Sequence, residues 1–455
     1  MAKPINWKLN LAFIWLVEIC ARSGFSVAIP FIPYYIRDRY MLSEGEVKNY
    51  VMLFGIAGSL ALFFSFPLWG MLGDRKGRRL MLLRATFCSG LLFGSYMFAP
   101  AVAVLVLMRF VAGFFSGTVS PAQALVVSTT PEKHHGFALG MLSSSVWVGN
   151  ALGFVLGGFV VKYCSYNDFW ERLFHLDPAG VIAKCWSYNV AFSLTVILFF
   201  LAGFITLFLV RENFVPPPPK PKRADTPAAQ SSRWAFGGFG CAVYAILGMF
   251  LWMSFARRCD ENYIALMVEV VSGLKGQAVA DIAGYISGIG AVGCFIAAIS
   301  VGFISDRCAP RTIIIPIAII GSLAMLVQSL APNPWVLGSA RFLTFAVAGG
   351  LEPTVLALLS RESPPERRGT IFGCVASLRI LGLLMGTLLG WAVMKLSDGL
   401  LHEGQVIMGY AINPHNLGIR GIFLLGSLAM ILLIPWLFFV ERMVARRHRQ
   451  LAEQQ

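Results

Sequence analysis

Glu18 and Arg22 stand four residues apart in a long apolar run, a spacing that puts both on one face of a helix. An acid inside such a run is placed to take up and release protons, and its neighbour offers the other reading, a self-neutralising pair. Glu352, directly before Pro353, is a second acid of the same kind. The proline leaves a backbone carbonyl unbonded and loosens the helix, which suits a site or a hinge. Arg379 can partner Glu352 or stand as a cation in a pocket. Arg109 and Arg341 also lie well inside apolar runs, where a charge is costly, turns to the protein interior and needs a partner. An interhelical hydrogen-bonded clamp would account for either. Gln123 and Asn150 are polar groups able to orient a substrate. Phe25 and Trp147, with Phe31, Tyr34, Phe154, Trp252 and Phe255, can line an apolar cavity or sit at lipid and interface positions. Arg257, Arg258, Asp260 and Glu261, in the outer half of a span, read first as an interfacial cluster and second as part of the central site.

Enzyme chemistry has no matching constellation. The chain has no Walker loop and no G-x-S-x-G elbow, and its six histidines lack zinc spacing. The expectation is a protein without metal or cofactor whose partners are a small-molecule substrate, protons and membrane lipid. Nucleic acid is a poor partner despite the net charge of +14, because the basic residues cluster between apolar runs and lack aromatic interleaving.

The elements that carry these side chains follow from composition. The 455 residues are 57% hydrophobic and 13% charged, against about 25% charged in an ordinary soluble domain. Runs long enough to cross the bilayer, roughly 20 helical residues each, recur along the whole chain. In lipid the backbone must bond to itself, so these runs are helices. Twelve spans are expected, near 9–36, 48–72, 79–99, 101–129, 136–162 and 186–210, then 234–258, 280–304, 311–331, 334–360, 369–395 and 417–441. The fold class is an all-α membrane protein with two six-helix halves, residues 1–210 and 234–455. A proline-rich basic linker, 211–233, joins them. Arg75, Lys76, Arg78 and Arg79, the linker, Arg307, Arg311, Arg361, Arg367, Arg368 and the tail arginines put both termini on the cytoplasmic side. Loops 163–186 and 396–417 are longer than tight turns require, and Cys164 and Cys185 flank the first, either as a disulfide or as two free thiols.

The two halves repeat one another. Gly70, Asp74 and Arg75 recur as Gly302, Asp306 and Arg307, and 35 residues separate Asp74 from Arg109 and Asp306 from Arg341 alike. Pro131, Glu132, Gly136 and Gly140 return as Pro365, Glu366, Gly369 and Gly373, so one offset of about 232 residues aligns the set. Two equivalent halves suit a substrate path opened alternately to each side. Asp74, at a helix end, can dock on the positive N-terminus of span eleven near Gly369. Arg75 and Arg78 can hold carboxylates or lipid phosphate. These residues, with Gly77, Asp306 and Arg307, form either a cytoplasmic latch or a topology anchor. Gly149, Gly153 and Gly157 recur every four residues, as do Gly382, Gly386 and Gly390. Each set makes a smooth helix face for close packing or for a sliding contact between halves.

The run from Gly70 to Arg79 resembles the signature loop of the major facilitator superfamily, and Arg109 its second motif. Gly149, Gly153, Gly157 and Gly158 resemble the antiporter motif of its drug-exporting branch, with Phe154 where that motif carries proline. Pro4 to Lys8 and Arg79 to Arg84 are similar to bacterial drug:proton antiporters. The resemblance implies a proton-coupled multidrug exporter of the bacterial inner membrane, with Arg109 tied to proton coupling; one chain containing both halves can act as a monomer. Its rivals are the same fold carrying an organic anion, sugar conjugate or other metabolite, and a non-transporting membrane receptor.

Overall fold

The computed structural model describes residues 6–166, 181–214, 240–274, 277–400, 406–407, 410–411 and 414–452. Most of the linker, much of the two long loops and the side chain of Cys164 lie outside the described residues. Asn6 caps α1 (Trp7–Ala28) by accepting from the amides of Lys8 at 3.2 Å and Leu9 at 3.4 Å. One tight turn at Pro30 leads into α2 (Ile32–Tyr40). The Glu46 carboxylate reaches back to the amide of Ser43 at 3.0 Å and starts α3 (Glu44–Lys76). Gly77, at φ 101°, turns the chain into α4 (Arg78–Ser95).

The fourth expected span is two helices, α5 (Val102–Phe115) and α6 (Val119–Thr129). The break falls at Gly117, whose φ of 99° favours glycine. Two carbonyls freed at the end of α5 are taken up by side chains. Trp69 Nε1 donates to Phe114 at 2.7 Å and Arg84 to Phe115 at 2.9 Å. Non-helical backbone at membrane depth is tolerated only where its polar groups are met in this way. The first half closes with α7 (His135–Tyr166) and α8 (Val181–Phe208).

The second half runs through α9 (Cys241–Arg258), α10 (Ile264–Ser272), α11 (Gln277–Ser305) and α12 (Pro310–Ser329). It continues with α13 (Pro334–Glu362), α14 (Arg368–Leu400), α15 (Pro414–Ile431) and α16 (Leu433–Ala452). A two-residue ladder pairs Val406–Ile407 with Tyr410–Ala411. Eleven helical stretches of the described residues are long and apolar enough to cross a membrane. The remaining expected span, near 234–258, is α9, whose described part ends in Arg257 and Arg258.

Packing divides the chain into two compact units. The first is Met1–Pro131, Met141–Pro217 and Pro365–Ser377; the second is Glu132–Gly140, Pro218–Pro364 and Leu378–Gln455. In the first, α1 lies against α8, where Thr195 donates to the Gly24 carbonyl at 2.8 Å. Phe93, Tyr96, Phe192 and Phe199 fill its core, all nearly inaccessible. In the second, Ile264, Met267, Val268, Leu337, Ile419 and Phe423 gather into one cluster.

Candidate functional site

Asp74 closes the end of α3 and reaches the first turn of α14, within the first unit. Its carboxylate accepts from the amides of Gly369 and Thr370, each at 2.7 Å, and from the Thr370 hydroxyl at 2.8 Å. Arg78 holds the same carboxylate at 3.3 Å and the Pro365 carbonyl at 2.7 Å. A Cβ on Gly70 would run into the Gly369 carbonyl group, so glycine there lets the helices approach. The second unit repeats the device. Asp306 accepts from the amides of Gly136 at 2.7 Å and Phe137 at 2.8 Å, at the start of α7, with Arg361 at 3.8 Å. Both carboxylates meet the positive end of a helix, where the first amides have no intrahelical partner. Arg75 and Arg307 are exposed, and Arg307 stacks on Phe303 at 4.1 Å. Glu212, which spacing gave no reason to single out, caps α4 through the amides of Arg78 at 3.0 Å and Arg79 at 2.8 Å.

In the first unit Glu18 is fully buried. Thr118, just past the break between α5 and α6, donates to its Oε2 at 3.0 Å, and Arg22 Nε stands 4.0 Å from the same oxygen. Oε1 has no hydrogen-bond partner. Arg109 is 8% exposed and has no carboxylate partner among the described residues. It lies over the rings of Phe25, Phe54 and Phe93 at 5.5, 5.2 and 5.7 Å. Its Nε is buried and unpartnered, as is Gln123 Oε1. Gly58 makes room for that guanidinium, since a Cβ there would fall 2.7 Å from Arg109 Cζ. Asn150 accepts from Ser26 at 2.9 Å, and Trp147 is partly buried on α7.

The glycine faces pack within their own units. Gly149, Gly153 and Gly157 meet Ile19, Arg22, Ser23, Ser26 and Val27 of α1, while Gly382 and Gly386 meet Ser254, Phe255, Arg258 and Cys259 at the end of α9. These contacts fit close packing.

The second unit corrects one expectation. Arg257 and Asp260 are not an interfacial cluster, for both turn inward to α13. Arg257 Nη1 lies 3.1 Å from Glu352 Oε2, and Arg379 of α14 bonds the other oxygen. Asp260 is fully buried and paired with Arg341, itself 2% exposed. Burying either charge alone would be costly, so the end of α9 bends its acid to the arginine already inside. Arg258 and Glu261 do pair near the surface, at 3.2 Å. Phe255 is buried, whereas Trp252 lies in an open apolar groove with Leu432, Pro435, Trp436 and Phe439.

A family model described as Major Facilitator Superfamily matches residues 14–387 and 262–455. The chain is 29% identical over 395 residues to the multidrug resistance protein MdtG of Klebsiella pneumoniae (strain 342), covering 86% of this chain and 88% of that one. It is 28% identical over 403 residues to the MdtG of Salmonella heidelberg (strain SL476), covering 87% and 91%. Among solved structures, the human organic anion transporter MFSD10 (TETRAN) matches with a TM-score of 0.68 at 15% identity, covering 94% of this chain and all of that one (100%). The E. coli fucose:proton symporter FucP matches with a TM-score of 0.67 at 16% identity, covering 96% and 99%. At such identities the structural likeness speaks for the fold alone.

Proposed function

The chain belongs to the major facilitator superfamily, and from that premise we propose that it is a proton-coupled exporter of amphiphilic, drug-like molecules working by alternating access. It is a membrane transporter and not an enzyme. The observation that carries the finer reading is Glu18. A fully buried acid with one oxygen held by a hydroxyl and the other unpartnered can exist charged or neutral with little rearrangement. Glu352 is less suited, because a guanidinium already occupies each of its two oxygens. Arg109 would position the cycle rather than carry the proton. Phe25, one of the rings around it, lies seven residues from Glu18 on the same face of α1. Asp74, Arg78 and Asp306 would serve as latches that open and close at the cytoplasmic side. The names of the curated relatives support a drug cargo and their bacterial sources a bacterial inner membrane, and the Lys and Arg distribution supports cytoplasmic termini. One chain holding both halves suits a monomer.

The test is flux in proteoliposomes under an imposed pH gradient, with one cationic and one anionic amphiphilic dye. Gradient-driven movement of either dye, reduced tenfold or more by Glu18→Gln, is the expected result. Folded protein that moves neither dye under either sign of gradient would sink the exporter reading.

A further inference from the structure

We infer that Arg257 and Arg379, with Glu352 between them, form a binding site for the anionic head of the cargo, a carboxylate or sulfonate on an apolar body. This rests on the exporter reading and names the class of molecule exported. Two guanidiniums from different helices, α9 and α14, converge on the two oxygens of one carboxylate from α13. Each guanidinium offers five N–H donors in a planar fork, so one carboxylate does not exhaust the pair. The three groups carry a formal charge of +1. That excess among the three favours an added anion over an added cation in surroundings of low dielectric.

The neighbouring pair shows what a structural arrangement looks like in the same unit. Asp260 and Arg341 balance one for one, with side chains 0% and 3% exposed. The side chains of Arg257, Glu352 and Arg379 are 14%, 17% and 21% exposed, so solvent reaches them. Phe250, itself fully buried, backs the Arg379 guanidinium at 6.0 Å. Glu352 stands where a cargo carboxylate would stand and competes with it for the same donors. That competition gives the site an unusual signature: removing an arginine weakens anion binding, and removing the acid tightens it.

The experiment is equilibrium binding of carboxyfluorescein to the purified full-length protein, followed by fluorescence anisotropy, with ethidium as the cationic probe. Saturable carboxyfluorescein binding is expected, weakened tenfold or more by Arg257→Gln and by Arg379→Gln, and tightened severalfold by Glu352→Gln. Arg257→Lys keeps the charge but loses the fork, and takes an intermediate value if Arg257→Gln does not fold. Loss of binding in all three neutralised variants alike would overturn the site, as would saturable binding of ethidium alone. Gradient-driven ethidium flux without carboxyfluorescein binding removes the site and leaves the exporter. Carboxyfluorescein binding without gradient-driven flux of either dye does the reverse.

Discussion

Arg109 and Arg341 hold equivalent places in the two halves of the repeat, each 35 residues after the aspartate of its loop. Their surroundings differ. Arg341 is ion-paired with the buried carboxylate of Asp260 and backed by the Phe345 ring at 4.6 Å. Arg109 has three phenyl faces and no carboxylate among the described residues. Ring faces attract a cation without neutralising it. The same scaffold therefore holds a balanced charge in one unit and an unbalanced one in the other. Balance suits a fixed strut. Imbalance suits a residue whose energy changes when the charge around it changes.

The sharpest way to break this contrast is to remove the acid from the balanced pair. Asp260→Asn leaves Arg341 buried and uncompensated, with an expected loss of about 3 to 5 kcal/mol of stability. A lowered thermal unfolding midpoint of the purified protein would report it. Adding Arg341→Gln should restore a good part, since the cost is that of a stranded charge. Arg109→Gln strands nothing and should change stability by no more than about 1 kcal/mol. Equal losses from Asp260→Asn and Arg109→Gln would end the distinction between strut and switch.

Some of this was legible in the sequence and some was not, for physical reasons. The contact of Asp74 with the start of α14 could be anticipated, because an aspartate at a helix end and a helix beginning at Gly369 have complementary polarity, and the repeat aligned both. Glu352 and Arg379 stand out in the sequence because an intramembrane charge needs a partner. The inward turn of Asp260 is not legible: at the end of an apolar run, hydropathy does not say whether a side chain turns to water or back to the core. The break of span four at Gly117 was hidden because Ser116, Gly117 and Thr118 sit in a run that remains apolar overall. The role of Gly58 is hidden for a similar reason, since only packing reveals that it makes room for Arg109.

That glycine offers a second, smaller test. Gly290 follows Gly58 by the same repeat offset, but faces the Phe345 ring, with the nearest carbon 3.2 Å from an added Cβ. At Gly58 the added Cβ would sit 2.7 Å from Arg109 Cζ. Gly58→Ala must push a buried guanidinium against its rings, a cost of about 1 to 3 kcal/mol. Gly290→Ala asks only a slight shift of Phe345, within about 1 kcal/mol. Thermal midpoints of the two variants decide it, and a larger loss at Gly290 would show that Arg109 moves freely in its cage.

The smallest expected difference lies between the two aspartate anchors. Asp74 accepts from two amides and the Thr370 hydroxyl, and Arg78 adds a charge-assisted bond. Asp306 accepts from two amides, with its arginine more distant at 3.8 Å. An asparagine keeps one accepting oxygen and loses the charge that faces the helix N-terminus, so each substitution should release about 1 kcal/mol of local stability. Asp74→Asn should release more than Asp306→Asn, because it gives up the hydroxyl and arginine partners as well. Hydrogen exchange at the amides of Gly369 and Thr370, set against those of Gly136 and Phe137, reads the two sites separately. Faster exchange at the first pair in Asp74→Asn than at the second in Asp306→Asn would mean that the unit with the open charge inside has the firmer anchor at its end. The opposite order would detach the strength of the anchors from the bonds counted at each.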